Sequence, residues 1–147
     1  MDQARLNAIS FFFEVGIINQ LATKILADTL DKGLHPSQFG VLRHLIVRGD
    51  GHTPLKIAEA FQVPKASMTN SLKVLEAKGL IDIRAHEADG RSKRVFLTDA
   101  GRAMVAHVFK RLGDKFDHLA AFVDFDLMER LRPGLEQIRM QLDEQRN

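Results

Sequence analysis

Cysteine, tryptophan and tyrosine are all missing from the 147 residues. Without cysteine there is no disulfide, no thiolate zinc ligand, no cysteine nucleophile and no thiol for an oxidant to address. There is no run of about 18 consecutive apolar residues, and the first residues lack a basic start followed by a cleavable apolar core. Neither a membrane span nor a secretory signal is therefore expected, no membrane partner is assigned, and the chain is expected in the cytoplasm. Enzyme motifs are missing too: no Gly-x-Ser-x-Gly, no phosphate-cradling glycine loop and no His-Glu-x-x-His. The expectation is a protein that is not an enzyme and carries no cofactor.

The composition that remains is globular, with 45% hydrophobic and 27% charged residues, and a single domain over 1–147 is expected. A net charge of +2 is too small to point to nucleic acid by itself. Its distribution says more. Residues 1–51 carry five basic and five acidic side chains, 52–102 nine and six, and 103–147 seven and eight. The basic third is the middle one.

Apolar residues Leu6, Phe13, Ile17, Leu21 and Ile25 recur at helical spacing with no proline before Pro36, which predicts a first helix to about Asp31. Ser37 to Arg48 repeats the pattern and stops at Gly49-Asp50-Gly51, read as a flexible turn. Thr53-Pro54 is a helix start, since the threonine oxygen caps free amides and proline sacrifices no hydrogen bond in a first turn. That third helix covers Pro54 to Phe61. After a short connector, Pro64 opens a fourth with Met68, Leu72 and Leu75 on its buried stripe, ended by Gly79.

Two short helices so joined form a helix-turn-helix. The period then drops to two: Ile81, Ile83 and Ala85 alternate with Asp82 and Arg84, and Val95 and Leu97 with Arg94 and Phe96, around an Asp89-Gly90 turn. This hairpin makes the motif a winged helix-turn-helix. A long helix follows Thr98, and a last one runs from Leu127 to about Glu144, in which Pro133-Gly134 predicts a kink or short break. The fold class is mainly α with a small β-hairpin wing.

Once Met68 and Leu72 turn inward, helix four presents Lys65, Ser67, Thr69, Asn70 and Lys73. An amide can pair two-pronged with adenine, hydroxyls reach either kind of base edge, and lysines meet phosphate or guanine, so this set suits a major groove. A merely solvated helix more often shows Glu and Lys pairs at four-residue spacing. The wing adds Arg84, Asp89, Arg91, Ser92, Lys93 and Arg94, a cationic hairpin suited to phosphates or a narrow minor groove. Asp89 either orients Arg91 or serves as a turn residue. A solubilising hairpin is the plainer alternative.

The ends of the chain hold more apolar surface than a small winged helix can cover. Phe11, Phe12 and Phe13 spread over a wide arc of the first helix, and Phe116, Leu119, Phe122, Leu131, Leu135, Ile138 and Leu142 lie on the last two. Such surface usually means a partner, and these residues are the candidate seam of a homodimer. On this division 1–34 and 103–147 are dimerisation helices and 35–102 the DNA-binding part.

These segments together resemble the MarR (multiple antibiotic resistance regulator) family of transcription factors. The resemblance rests on Leu34-His35-Pro36-Ser37-Gln38-Phe39, Pro54-Leu55-Lys56-Ile57-Ala58, Leu75-Glu76-Ala77-Lys78-Gly79-Leu80-Ile81, Asp89-Gly90-Arg91 and Leu97-Thr98-Asp99-Ala100-Gly101. Their order and spacing carry it more than any one of them. It implies an obligate homodimer that binds double-stranded DNA at a pseudo-palindromic operator. It also implies a repressor released by a small molecule, frequently an aromatic acid, bound between dimer and DNA-binding parts; no residue is assigned to that effector. Lys65, Ser67, Thr69, Asn70 and Lys73 match the family's recognition helix and Arg91 its minor-groove wing arginine. Pro64 departs from the serine or threonine cap that relatives typically carry.

His35, His44, His52, His86, His107 and His118 raise a zinc-responsive alternative, since some relatives sense zinc. No tight cluster supports it, and no metal ligand is assigned. His35 is better placed to cap helix two or to lie near an effector pocket. A winged helix used only as a protein-interaction adaptor is the remaining alternative, because fold does not fix function.

Overall fold

The computed structural model describes residues 2–85 and 92–145. The chain divides into two compact units, 1–111 and 112–147. The first holds α1 (Gln3–Ala27), α2 (Pro36–Arg48), α3 (Pro54–Phe61), α4 (Lys65–Ala77), β1 (Ile81–Ala85), β2 (Lys93–Leu97) and the greater part of α5 (Asp99–Leu119); α6 (Phe125–Glu144) lies in the second. Among the described residues, six helices and a two-stranded antiparallel hairpin agree with the expected fold class.

Helix α1 begins on Asp2, whose carboxylate accepts the Arg5 N–H at 2.9 Å. It ends at Ala27, short of the expected Asp31, because the chain turns inward to bury Thr29, Leu30 and Leu34. No residue of α1 itself is buried. Polar residues interrupt its apolar runs, yet its mean hydropathy of 1.3 over 18 residues makes it long and apolar enough, by length and composition, to cross a bilayer. Averaging finds what a search for an unbroken run does not.

Helix α2 starts on His35 as expected, with Gln38 Oε1 accepting the His35 N–H at 3.1 Å. Thr53 Oγ1 caps α3 by accepting the Lys56 N–H, and α3 has the expected bounds. Between α3 and α4 the backbone passes through Gln62 in the left-handed region, φ 56°. Pro64 stands just outside α4, at the N-cap, and offers its free amides no side-chain acceptor.

The hairpin register places Ile81 opposite Leu97 and Ala85 opposite Lys93. Val95, Leu97 and Ile81 are buried, whereas Ile83 is half-buried and Ala85 exposed, since β1 leaves the body toward the tip. His52 adds a one-residue bridge to Val95. Thr98 Oγ1 accepts the Gly101 N–H at 3.0 Å and donates to the Gly79 carbonyl at 2.7 Å, which sets the start of α5 against the turn after α4. A Cβ on Gly101 would collide with the Leu80 carbonyl oxygen.

The core lies wholly in the first unit, around Leu42, Leu45, Ile57, Leu72, Leu75, Ile81, Val95 and Val108, all under 2% exposed. Burial of an aliphatic side chain contributes about 1.5–3 kcal/mol, so these residues hold the helix-turn-helix together. Arg111 reaches Asp31 at 2.8 Å on its periphery. In the second unit Phe116 and Phe125 meet edge-to-face at 6.1 Å, and no described residue is buried. Helix α6 starts on Asp124, which accepts the Leu127 N–H, and runs through Pro133 to Glu144 without the expected break. Ion pairs from Arg139 to Glu136 and Asp143, and from Arg132 to Glu136, lie along it.

Candidate nucleic-acid interface

At about 100° per residue, the outward surface of α4 resolves into two stripes. Met68, Leu72 and Leu75 face the core. Lys65, Thr69, Lys73 and Glu76 lie on one flank, whereas Ser67 and Asn70 stand on the side away from the core and are exposed. Asn70, about 160° round from Leu72, points farthest outward. The Thr69 hydroxyl donates back to the Lys65 carbonyl at 2.9 Å, which leaves its oxygen lone pairs as the groups it can offer a ligand.

The first stripe forms one wall of a groove of about 470 Å³. Thr53, Pro54 and Leu55 at the start of α3 form another, and Ile83, Ser92 and Lys93 of the hairpin a third. The structure thus brings together Lys65, Thr69, Lys73, Ser92 and Lys93 from the predicted set, and adds Pro54, Leu55 and Glu76, which the sequence offered as motif residues and not as site residues. Three lysines against one carboxylate make the groove cationic. Glu76 Oε1 also accepts the Ile83 N–H at 3.2 Å, tying β1 to α4.

The wing cations are not equivalent. Arg84 pairs with Asp82 at 2.9 Å and lies over the Phe96 ring, 4.9 Å from its centroid. Arg94 donates from Nη1 to the Gly51 carbonyl at 2.8 Å. Both are therefore engaged within the protein, while Lys93 is exposed and lines the groove. Asp89 and Arg91, with His86, lie outside the described residues.

The hairpin is attached to the body at the turn between α2 and α3. Gly51 N–H donates to the Val95 carbonyl at 2.8 Å and Val95 N–H to the His52 carbonyl at 3.0 Å. Asp50 accepts the Leu97 N–H at 2.9 Å with Oδ1 and Arg102 Nη2 at 2.6 Å with Oδ2. The turn expected to be flexible is thus bonded on both sides of His52.

Among the described histidines, His44 and His52 come together, with ring centroids 5.6 Å apart and Phe61 5.5 Å from His44. His44 Nε2 and His52 Nδ1 are buried without a hydrogen-bond partner among the described residues. Burial holds the His44 pKa below the ordinary imidazole value, helped by the charges of His52, Arg48 and Lys56. Among the described residues no group of three or more His, Cys, Asp or Glu could hold a metal ion.

The architecture is that of the MarR winged helix, and the model of the MarR family matches residues 32–92, from the turn before α2 to the wing. That match covers 61 of the 147 residues. No curated protein sequence matches it. Among solved structures, the transcriptional regulator BldR from Sulfolobus solfataricus superposes with a TM-score of 0.79 at 20% identity, covering 96% of this chain and 99% of that one. A probable transcriptional regulator from Pseudomonas aeruginosa gives 0.71 at 25% identity, with 87% and 96% covered. A cysteine-to-serine mutant of MarR from E. coli, complexed with operator DNA, gives 0.74 at 22% identity, with 94% and 99% covered. The MarR likeness therefore runs beyond the matched segment, into the terminal helices.

Proposed function

We propose that this chain is a DNA-binding transcription regulator of the MarR type, a homodimeric repressor that is released from a pseudo-palindromic operator by a small molecule. The observation that carries the reading is the surface of α4. Asn70 and Ser67 project hydrogen-bonding groups away from the core, and Lys65, Lys73 and the wing's Lys93 gather positive charge beside them. Base edges meet the first pair and phosphates the second.

The dimer rests on what α1, the end of α5, the turn after it and α6 leave uncovered. Phe13 is 70% exposed and Phe122 87%, and Phe11, Phe12, Phe116, Leu131, Leu135 and Leu142 are exposed as well. A second copy is the occupant that would dry this surface. A small aromatic acid suits the groove beside α4, where lysines supply charge and Pro54, Leu55 and Ile83 supply an apolar wall. A ligand there occupies the DNA-facing side and competes with DNA directly.

The test is binding of the purified chain to a mixed-sequence duplex at about 50 mM salt, followed by selection of operator fragments from genomic DNA. Retarded duplex, a selected inverted repeat with half-sites about one helical turn apart and a solution mass twice 16.5 kDa are expected. A chain that leaves the duplex unshifted at low salt is not a DNA-binding regulator.

A further inference from the structure

The wing meets the turn between α2 and α3 through Arg94, Val95 and Leu97 of β2; besides the Arg94 bond to the Gly51 carbonyl there are two anchors, and they differ in kind. The first is made of backbone: Gly51 and His52 exchange hydrogen bonds with Val95. The second is a side chain, Asp50, which takes the Leu97 N–H on one carboxylate oxygen and Arg102 on the other. Asp50 is flanked by Gly49 at φ 93° and Gly51 at φ 82°, conformations that only glycine adopts without strain, so the turn can present the carboxylate to β2. Its side chain is 26% exposed against 51% for Arg102. A half-sheltered carboxylate that holds a backbone amide and a guanidinium makes stronger bonds than neutral pairs do.

We propose that Asp50 is the positioning residue of the wing, fixing through Leu97 the angle at which the hairpin meets DNA. The proposal rests on the DNA-binding reading above. One anchor at Val95 defines a pivot; a second at Leu97 defines a direction. Lys93 stands four residues from Leu97, about 13 Å along an extended strand, so a small rotation at the root moves its charge by ångströms. Without Asp50 the hairpin keeps the Val95 pivot, the Arg94 bond to the Gly51 carbonyl, the Thr98 N–H bond to the Leu80 carbonyl and the exposed bond from Ile83 N–H to Glu76, but loses the side-chain clasp on Leu97 itself. Helix α4 is held separately, by Met68, Leu72 and Leu75 in the core. Loss of Asp50 therefore takes away the wing's share of binding and leaves the recognition helix in place.

The experiment measures binding of wild type, Asp50→Ala and Asp50→Asn to a mixed-sequence duplex across a salt series, with helix content followed by circular dichroism. Asp50→Ala is expected to bind about tenfold more weakly at low salt, with a salt slope smaller by about 1 per protomer. Asp50→Asn keeps an acceptor for the Leu97 N–H and is expected to restore most of both. A merely structural role would lower the melting temperature and leave the slope unchanged. The proposal is overturned if folded Asp50→Ala shows wild-type affinity and slope, or if folded Asp50→Asn is as weak as the alanine variant. Should alanine prevent folding, Asp50→Ser, too short to reach Leu97, replaces it with the same expected loss. If the wild type itself does not bind the duplex, the DNA-binding reading fails instead. The clasp is then tested by amide exchange at Leu97, expected at least tenfold faster in Asp50→Ala; an unchanged rate overturns it.

Discussion

Residues 29–108 and the two terminal helices obey different rules. The middle buries its own apolar residues, down to Leu42 and Ile57 at 0% exposure, and satisfies its turns with named caps. Helices α1 and α6 span 25 and 20 residues, yet neither contains a buried residue. Helix formation by a long segment therefore says nothing about where its apolar face goes. In the middle, burial dictates the sequence pattern; at the ends, apolar residues recur at helical spacing and stay exposed.

The sharpest way to break this contrast is to cut the same side chain in both regions. Leu45→Ala, inside the core, should cost about 3 kcal/mol of unfolding free energy whatever the protein concentration. Leu131→Ala, on exposed α6, should show its cost only as a concentration-dependent shift in the denaturation midpoint. Equal, concentration-independent losses in urea titrations would erase the distinction. Gly101→Ala should follow at about 2 kcal/mol, because its new methyl meets the Leu80 carbonyl, a backbone group that cannot swing aside; thermal melts check it.

A smaller effect separates surface from core within α4. Asn70→Ala should cost on the order of 1.5 kcal/mol on a selected operator and little on scrambled duplex, with stability unchanged. Equal losses on both duplexes would remove Asn70 from base recognition. The smallest effect concerns His44. Its folded-state pKa is lowered by burial and by cationic neighbours, so the unfolded chain binds more protons and stability rises with pH. The contribution is present above about 6.5, the ordinary imidazole value, and is lost as pH falls from there toward the folded-state value. Denaturation at pH 7.5 and pH 5.5 should show a smaller acid penalty in His44→Phe; an identical penalty would mean that His44 is not the group protonated.

The sequence pattern made α2, α3, α4 and the hairpin legible because each is punctuated locally, by Thr53-Pro54, by Gly79 and by the change from helical to alternating period. It was silent where a distant residue decides. Helical spacing continues past Ala27, but burial of Thr29 and Leu30 ends α1 there. Pro133 predicted a kink or a short break, and one missing N–H on an exposed helix did not break α6. Asp50 looked like a loop residue because Leu97 and Arg102, its partners, lie 47 and 52 positions away. For the same reason Arg94 read as a free cation, its partner Gly51 lying 43 positions away, whereas Arg84 is claimed by neighbouring Asp82 and by the Phe96 ring.

That long sequence separation at Asp50 has a kinetic meaning. Leu97 and Asp50 close a loop that contains all of α3, α4 and β1, whose own bonds are mostly short-range. Short-range helical turns form on the microsecond scale, whereas joining the loop's ends must first overcome its closure entropy. The α3–α4–β1 unit then assembles as a nearly finished piece and is sealed last. Opened from the native state, it would come away as one cooperative segment, with the Leu97 amide exchanging ahead of those in α4.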